Sequence, residues 1–440
     1  MNIYVSSLGC DKNLCDTEHM LSLLSKAGYG FTDDESEADV IIVNSCCFIG
    51  DAQEESIEEI LHLSRQKKTG KCKALVVTGC LSERFQADFE QELPEVDGIL
   101  GISSWDEIVP VVEEALQGRH PHVFKDHDRL CSTQGRVLTT GGYYAYLKIA
   151  EGCDKYCTYC IIPYVRGAYR SIPMEDLLEE AEMLAANGVR ELILVAQETT
   201  LYGTDLYGRK ALPELLEKLS AIEGLHWIRL LYCYPEEITD ELIEAIASLP
   251  KVVPYLDIPI QHISDSVLKR MNRKTTKEAL QERIRTLREK IPGLTLRTTL
   301  ITGFPGETEE EAAELLSFVK TAGFERLGVF PYSREDGTAA AKMKGQLPKK
   351  VKNARRDAIM KAQQQISLAH GKALVGKTLE VLVEGRLIGE DHVYVGRSVM
   401  DAPGVDGQVF FESKTELISG DFVNIRIKRA EAYDLYGVMV

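Results

Sequence analysis

The first 120 residues repeat one unit three times, and this repeat restricts the fold more than any other feature. Three apolar runs end just before a cysteine: IYVSSLG before Cys10, DVIIVNS before Cys46 and ALVVTG before Cys80. The cysteines are 36 and then 34 residues apart, and helical patterns fill the intervals at residues 17–26, 54–64 and 83–92. Continuous apolar strands that alternate with amphipathic helices predict an α/β domain with a helix-covered parallel sheet over residues 1–120.

The three strand-end cysteines are expected to lie together. Parallel strands end at the same edge of a sheet, and ligands bind just beyond that edge. Side chains alternate between faces along a strand, so only one of the neighbours Cys46 and Cys47 can point into a shared site. The repeated pattern favours Cys46 and predicts that Cys47 packs in the core. The alternative, that all of them are buried core cysteines, stays open at this point.

The remaining 320 residues change character twice. Residues 121–142 show little periodicity and predict a linker. Residues 143–371 contain six apolar runs, each followed by a helical pattern, and predict a partial (βα)6 barrel whose functional groups collect at the carboxyl ends of its strands. Residues 372–440 contain short strands separated by Gly, Asp and Pro, which indicates a small antiparallel β-barrel. The clearest helical patterns of the central part lie at residues 173–186, 235–247, 275–290, 308–322 and 348–369.

Composition limits the class of protein and its partners. Hydrophobic residues make up 44% and charged residues 27% of the chain, values typical of a soluble globular protein. There is no signal-peptide pattern and no apolar run of the ~18 residues that a membrane span needs, so we expect a cytoplasmic location and no membrane association. Eleven cysteines in a reducing compartment favour metal or redox chemistry over disulfides. The net charge of −17 favours a basic protein partner over nucleic acid.

The most specific motif is CxxxCxxC in EGCDKYCTYC, with Cys153, Cys157 and Cys160. It follows the first predicted barrel strand, where such a barrel carries its active-site loops. Three thiolates can hold a soft metal site. A structural zinc needs a fourth ligand that this stretch lacks, although zinc stays an alternative. A 4Fe–4S cluster held by three thiolates leaves one iron open to a substrate or cofactor.

This motif on the first loop of a partial barrel resembles the signature of the radical S-adenosylmethionine enzymes. The resemblance implies that Cys153, Cys157 and Cys160 hold a 4Fe–4S cluster whose open iron is chelated by S-adenosylmethionine. It also places Tyr159 at the aromatic position of that signature, near the cofactor. An electron from the cluster then cleaves the cofactor and produces a 5′-deoxyadenosyl radical. A protein donor such as a flavodoxin or a ferredoxin is expected to supply this electron.

The resemblance extends over virtually the whole chain to the methylthiotransferase family, which joins a three-cysteine domain, a radical barrel and a small β-barrel called TRAM. The stretches LGCDKNL, VNSCCF and TGCL carry it in the first domain. They imply that Cys10, Cys46 and Cys80 hold a second 4Fe–4S cluster. The implied reaction replaces an unactivated C–H bond by C–SCH₃, which requires a carbon radical.

Further cofactor contacts are predicted at two strand ends. Gly303, Gly306 and Glu307 lie in GFPGET where the fifth barrel strand meets its helix, and glycines there would let the backbone approach the adenosyl group. Gln197 and Glu198 end the second barrel strand. An ordinary turn and ordinary strand-end polar residues are the alternatives. The cysteines without partner spacing are Cys15, Cys72, Cys131 and Cys233.

The substrate is predicted from charge and from local sequence. Residues 371–440 carry eight basic and eleven acidic side chains, whereas an RNA-binding barrel should present a basic face. The stretches SLGCDKNLCDTE, GRSVMDAPGVDG and YDLYG resemble the branch that modifies the β-carbon of an aspartate in small-subunit ribosomal protein number twelve. The transfer-RNA (MiaB-like) branch is the alternative. Departures from the ribosomal-protein branch are Asp11, where Pro is frequent, and the cysteines Cys15 and Cys47.

Overall fold

The computed structural model describes residues 1–131, 135–390 and 392–440, the side chain of Glu90 excepted. Three large sheets follow one another along the chain: an open six-stranded sheet, a second six-stranded sheet and a closed five-stranded barrel. A small two-stranded antiparallel sheet, of residues 150–151 and 170–171, lies beside them in the chain order. None of the described helices is long and apolar enough to cross a membrane. The α/β class predicted for the chain is confirmed.

The first sheet is entirely parallel, with the strand order β2-β1-β3-β4-β5-β6. Helices cover both faces, so every residue of β3 and β4 is buried. In chain order the elements are β1 (Asn2–Ser7), α1 (Asp11–Lys26), β2 (Gly30–Phe31), β3 (Val40–Ser45), α2 (Gly50–Ser64), α3 (Gln66–Thr69), β4 (Ala74–Gly79), α4 (Cys80–Arg84), α5 (Gln86–Glu92), β5 (Gly98–Leu100), α6 (Ile108–Leu116) and β6 (His122–Val123).

Two predicted helices in this part differ from the structure. Helix α1 begins at Asp11 and not at residue 17. The prediction missed the first turns because their side chains are polar although they are buried, so the usual apolar periodicity is absent there. The helix predicted at residues 83–92 is divided at Phe85 into α4 and α5. The predicted linker at residues 121–142 starts with β6, and its residues 132–134 lie outside the described part of the chain.

The second sheet is the predicted partial barrel. Its strands pair in parallel in the order β14-β13-β12-β11-β10-β7, so each new strand adds to the same side. Its elements are β7 (Tyr144–Lys148), β8 (Ala150–Glu151), α7 (Ile162–Arg166), β9 (Arg170–Ser171), α8 (Met174–Ala186), β10 (Glu191–Val195), α9 (Thr204–Tyr207), α10 (Leu212–Ala221), β11 (Trp227–Leu230), α11 (Asp240–Ser248), β12 (Val252–Asp257), α12 (Asp265–Arg270), α13 (Lys277–Lys290), β13 (Thr295–Thr302), α14 (Glu309–Ala322), β14 (Arg326–Pro331) and α15 (Lys349–Leu374).

The last sheet is the predicted small β-barrel, which is closed, five-stranded and antiparallel except for one pair. Strands β17 and β19 run parallel, while the other pairs are antiparallel. Strand β19 had no clear sequence signal because Gly437 interrupts it; a Cβ there would lie 2.5 Å from Ile425 Cγ2. The strands are β15 (Thr378–Arg386), β16 (Val393–Ser398), β17 (Val409–Glu412), β18 (Phe422–Ala430) and β19 (Leu435–Met439).

Residues 397–406 of the small barrel close the amino-terminal end of the central barrel. Arg397 donates to Glu191 Oε2 at 2.6 Å, and Glu191 Oε1 also accepts from Arg229 Nε at 2.7 Å; all three side chains are buried. Tyr255 donates its hydroxyl to Asp406 at 2.6 Å. The carboxyl ends of the barrel strands face the first domain, because Lys148 at the end of β7 pairs with Asp16 and Tyr232 after β11 donates to Asp11 at 3.1 Å. The predicted site residues collect there.

Candidate active site

The first set of thiols lies at the carboxyl edge of the first sheet. Strand β3 lies between β1 and β4 in parallel register, with Ser45 opposite Gly79. Cys46 follows β3, Cys80 follows β4 as the first residue of α4, and Cys10 is the N-cap of α1. The structure thus brings the three predicted residues to one edge, as the strand ends require.

The thiols of this set interact with one another. A Cβ placed on Gly9 would lie 2.9 Å from Cys46 Sγ, so the loop that carries Cys10 lies directly against Cys46. Burial raises the pKa of the Cys80 thiol, the Arg166 guanidinium opposes that rise, and the charges of neighbouring thiols add to it. Those neighbours are Cys47, Cys10 and Cys46.

Cys47 lies in a different environment from Cys46. Its thiol donates to the Cys80 carbonyl at 3.1 Å, and its side chain, 1% exposed, packs in the apolar cluster beneath the sheet. Burial raises its pKa to about 12. These contacts describe the packing residue that the sequence pattern suggested, although the assignment of ligands stays a prediction.

The second set of thiols lies on the loop between β8 and α7. Gly152 has a φ of +78°, and Tyr156 has a φ of +46°, an uncommon conformation for a residue with a side chain. Burial raises the pKa of the Cys153 thiol to about 12. Burial also raises the pKa of Cys160, with Cys157 and Cys153 adding to it, so these thiols are near neighbours.

Replacing Gly152 by alanine should damage this loop severely. A Cβ there would lie 2.0 Å from the Ala168 carbonyl oxygen, in addition to the cost of a positive φ. We expect the free energy of unfolding to fall by about 2–5 kcal/mol, measured by urea denaturation of the cluster-free protein. Gly188→Ala is the matched control, because Gly188 also has a positive φ but has open space around its Cα. Equal losses in the two variants would contradict the steric argument.

Arg166, the last residue of α7, connects the first set of thiols to the start of the loop that carries the second set. Its Nη2 contacts Cys80 Sγ at 3.5 Å and donates to Asn13 Oδ1, while its Nη1 donates to Glu151 Oε1 at 2.7 Å. Glu151 comes two residues before Cys153 in the chain. The side chain of Arg166 is 1% exposed. One buried guanidinium therefore contacts both the strand-end thiols and the start of the loop that carries the second set.

The predicted cofactor residues of the second barrel strand face this same region. Gln197 Nε2 donates to Glu151 Oε1 at 3.0 Å. Glu198 Oε1 accepts from the amide of Thr200 at 2.9 Å. Gln197 Oε1 and Glu198 Oε2 are buried and have no hydrogen-bond partner within the described part of the chain. Two buried acceptors without donors are what a ligand with amino or hydroxyl groups would need.

Burial raises the pKa of Glu198 to about 7, which predicts a specific pH dependence. Because the folded-state pKa exceeds the unfolded one, the contribution of Glu198 to stability is complete below about pH 4.5 and is lost as pH rises through about 7. Glu198→Gln should therefore raise the free energy of unfolding by about 2–3 kcal/mol at pH 8 and change it little at pH 5. Denaturant unfolding at both pH values measures this. The exposed Glu182 provides the control variant Glu182→Gln; equal responses would contradict the assignment.

Two of the other predicted cofactor residues, Gly303 and Glu307, already have partners within the protein. The Glu307 carboxylate accepts from the amides of Gly303 and Phe304 at 2.7 and 3.1 Å and pairs with Arg355 at 2.8 Å. A Cβ on Gly303 would lie 2.3 Å from Lys352 Cγ, so packing of α15 explains this glycine. Neither Gly303 nor Glu307 is free in this arrangement, and their role in cofactor binding stays a prediction.

Gly306 and Tyr159 lie at the rim of this region. Gly306 has a φ of +77° and donates its amide to the Gly345 carbonyl at 2.9 Å. Tyr159 packs against a buried cluster that contains Phe304 and Met271. Burial raises the pKa of Tyr159, with Cys157 contributing, so its ring lies beside that thiol.

Three comparisons place the chain among known proteins. Residues 147–319 match the Radical SAM superfamily, residues 2–101 match the family described as Uncharacterized protein family UPF0004, and residues 375–440 match the TRAM domain. A protein of Lachnoclostridium phytofermentans named ribosomal protein uS12 methylthiotransferase RimO is 56% identical over 99% of both chains. One of Pelotomaculum thermopropionicum with the same name is 52% identical over 100% of this chain and 99% of its own. The chain belongs to the RimO family.

Solved structures agree on the fold. A radical S-adenosylmethionine methyltransferase from Kitasatospora setae, TsrM, with cobalamin and a [4Fe-4S] cluster bound, has a TM-score of 0.58 at 14% identity and covers 77% of this chain and 76% of its own. The cobalamin-dependent S-adenosylmethionine radical enzyme OxsB has a TM-score of 0.54 at 14% identity, over 82% of this chain and 56% of its own. At such identities the similarity concerns the fold alone. It supports the radical S-adenosylmethionine core of this family member.

The donor sets fit the iron–sulfur clusters of a radical enzyme. Each set offers three thiols, and burial keeps the pKa values of Cys46, Cys80, Cys153 and Cys160 high, so a bound cation would displace their protons. Among the described residues no three His, Cys, Asp or Glu side chains converge closely enough for a single metal ion.

Several residues of the site were missed from the sequence. Arg166, Glu151, Asn13 and Asp16 form the buried network between the two sets of thiols, with Lys148 paired to both acids. The only signal was a charged residue inside the otherwise apolar stretch IIPYVRG. Of the remaining cysteines, Cys15, Cys72 and Cys233 are buried, and Cys131 lies beside Arg129.

Proposed function

We propose that this chain replaces a hydrogen on the β-carbon of an aspartate in ribosomal protein uS12 by a methylthio group. The observation that carries the proposal is the buried guanidinium of Arg166, which lies 3.5 Å from Cys80 of the first thiol set and 2.7 Å from Glu151, at the start of the loop that carries the second set. A transfer of sulfur between centres needs both centres at one cavity. The name of the full-length relatives supports uS12 as the substrate.

In this proposal Cys10, Cys46 and Cys80 hold one 4Fe–4S cluster, and Cys153, Cys157 and Cys160 hold the other together with S-adenosylmethionine. When bound, these groups would supply a carbon radical able to abstract an unactivated hydrogen, and the sulfur that replaces it. The protein would orient the cofactor through the free acceptors Gln197 Oε1 and Glu198 Oε2. Arg166 and Asn13 would hold the thiol edge in place, and the apolar packing of α7 on α4 would exclude water.

In this proposal each of the three domains has its own role. Residues 1–120 would present the sulfur-bearing cluster, residues 143–371 would generate the radical and residues 372–440 would contact the substrate. The acidic balance of the last part, with eight basic against eleven acidic residues, would attract a basic ribosomal protein. A small electron carrier such as a flavodoxin or ferredoxin would reduce the barrel cluster. Because the proposed substrate is a ribosomal protein, the proposal includes a cytoplasmic location.

A direct assay tests the choice of substrate. The anaerobically reconstituted protein is incubated with S-adenosylmethionine, dithionite and either purified uS12 or total transfer RNA, and both products are analysed by mass spectrometry. We expect methylthiolation of one aspartate in uS12 and none in transfer RNA. The Cys80→Ser variant is the control; it should still cleave S-adenosylmethionine but leave uS12 unmodified. Methylthiolated transfer RNA with unmodified uS12 would favour the transfer-RNA branch instead.

A further inference from the structure

Two segments of the central barrel are basic in an otherwise acidic chain. Residues 266–277 contain five Lys and Arg and no Asp or Glu, and residues 337–356 contain seven Lys and Arg and no Asp or Glu. The whole chain carries a net charge of −17. Two such segments far apart in sequence matter only if the fold brings them together.

The fold joins them at the loop of the barrel cysteines. Thr158, between Cys157 and Tyr159, donates its amide to the Met271 carbonyl at 3.0 Å and its hydroxyl to the Arg270 carbonyl at 2.8 Å. On the other side, the Ala340 amide donates to the Thr158 carbonyl at 2.8 Å. Both basic segments therefore flank the loop that carries the second set of thiols.

Six lysines of these segments point into solvent, and none of them forms an ion pair within the described part of the chain. They contrast with the other basic residues of the same segments, such as Arg270, Arg273 and Arg355, which pair with glutamates. The six exposed lysines are Lys269, Lys274, Lys342, Lys344, Lys349 and Lys350.

Two exposed aromatic rings lie next to the first basic segment. Tyr156 and Tyr164 are 50% and 61% exposed, and their centroids are 6.1 Å apart in an edge-to-face arrangement. Asn272, from the first basic segment, donates to the Tyr156 carbonyl at 3.0 Å. We call the six lysines together with Tyr156 and Tyr164 the cluster-loop face. Exposed aromatic rings together with charged side chains are typical of a protein–protein contact.

We propose that the cluster-loop face docks a small acidic electron-carrier protein. This inference rests on the proposed function, because it assumes that Cys153, Cys157 and Cys160 hold the cluster that must be reduced. One electron would leave the hydroquinone of the carrier's flavin, which becomes the semiquinone, and would reduce that cluster. Tyr156 adjoins Cys157 in the chain, so a carrier seated here lies against the loop that holds the barrel thiols.

The charge of the cluster-loop face and its small size favour an acidic carrier protein over RNA. Unpaired lysines attract any anionic partner, and steering by such a face raises association rates mainly at low salt. An extended phosphate backbone would run from this face onto a surface that is acidic overall. A compact acidic protein with a small, transient interface fits within it.

Binding measurements with an acidic flavodoxin test the proposal without any bound cluster. The variant Lys274→Glu/Lys344→Glu takes one lysine from each segment. Lys361→Glu/Lys414→Glu is the matched control, with the same change in charge at exposed lysines elsewhere. Titration calorimetry at low salt should show a Kd at least about tenfold higher for the first variant and about unchanged for the control. Equal effects in both variants, or none in either, would overturn the proposal.

A second measurement separates this proposal from the proposed function. In the reconstituted protein, the first variant should cleave S-adenosylmethionine normally with dithionite but slowly with reduced flavodoxin. If no variant cleaves it with either reductant while the difference in flavodoxin binding persists, the proposed function fails and the docking face stands. If the first variant binds flavodoxin normally but loses affinity for ribosomal RNA, the face binds nucleic acid and the proposal is wrong.

Discussion

Cys46→Ala should remove about half of the iron from the reconstituted protein, whereas Cys47→Ala should keep all of it, because each 4Fe–4S cluster depends on its own set of thiolates. Cys46 adjoins the loop of Cys10, while the Cys47 thiol donates to the Cys80 carbonyl at 3.1 Å. Iron per chain and methylthiolation of uS12 are measured together. We expect Cys46→Ala to abolish methylthiolation and to retain cleavage of S-adenosylmethionine.

The neighbouring substitution makes this result decisive. Both cysteines are buried and adjacent, so a general loss of packing would affect the two variants alike. Loss of iron only in Cys47→Ala would show that Cys47 is the ligand and that the strand-end pattern selects the wrong residue. Loss of the other half of the iron, with loss of cofactor cleavage, is expected for Cys153→Ala.

Arg166→Met should lower the free energy of unfolding by about 3–5 kcal/mol, because removal of one partner leaves buried charges uncompensated. Glu151 and Asp16 lie within 2.7 and 3.8 Å of the Arg166 Nη1. Urea denaturation of the cluster-free protein measures the loss without interference from iron. Arg285→Met, at an exposed arginine paired with Glu282, is the control and should change stability by less than about 0.5 kcal/mol.

A double-mutant cycle tests the origin of that loss. If uncompensated charge is responsible, Glu151→Gln should cost less in the Arg166→Met background than in the wild-type protein, by about 1–3 kcal/mol. Additive effects would contradict the proposed network. A retained stability in Arg166→Met alone would show that Lys148 is sufficient for both acids.

The sequence predicts the strands of this protein better than its interfaces. Each of the six barrel runs and the three cysteine-terminated runs corresponds to a strand of the structure. The signal is clearest in β3, β4 and β10, which are buried along their whole length. The start of α1 was misplaced because Lys12, Asn13 and Asp16 are polar and yet buried. They meet partners from the barrel, such as Tyr232 beneath the Lys12 ammonium at 3.3 Å, and these partners are distant in sequence.

In the candidate site, too, the local patterns are predictable and the long-range contacts are not. The positions of the cysteines follow from strand ends and from a compact motif, both of which are local patterns. Arg166 and Glu151 become central only because α7 packs against α4 and brings the two thiol sets together. In GFPGET, Gly303 is required because a larger residue would clash with Lys352 of α15. The local sequence does not reveal this contact. Long-range packing therefore limits what the sequence can predict.

The fate of one hydrogen tests the central claim most directly. The reconstituted protein is given uS12 that carries deuterium on the β-carbons of its aspartates, and the 5′-deoxyadenosine that forms is analysed by mass spectrometry. We expect deuterium to appear in 5′-deoxyadenosine. The modified aspartate should have lost one deuterium and gained one methylthio group. Methylthiolated uS12 together with 5′-deoxyadenosine free of deuterium would contradict radical abstraction at that carbon.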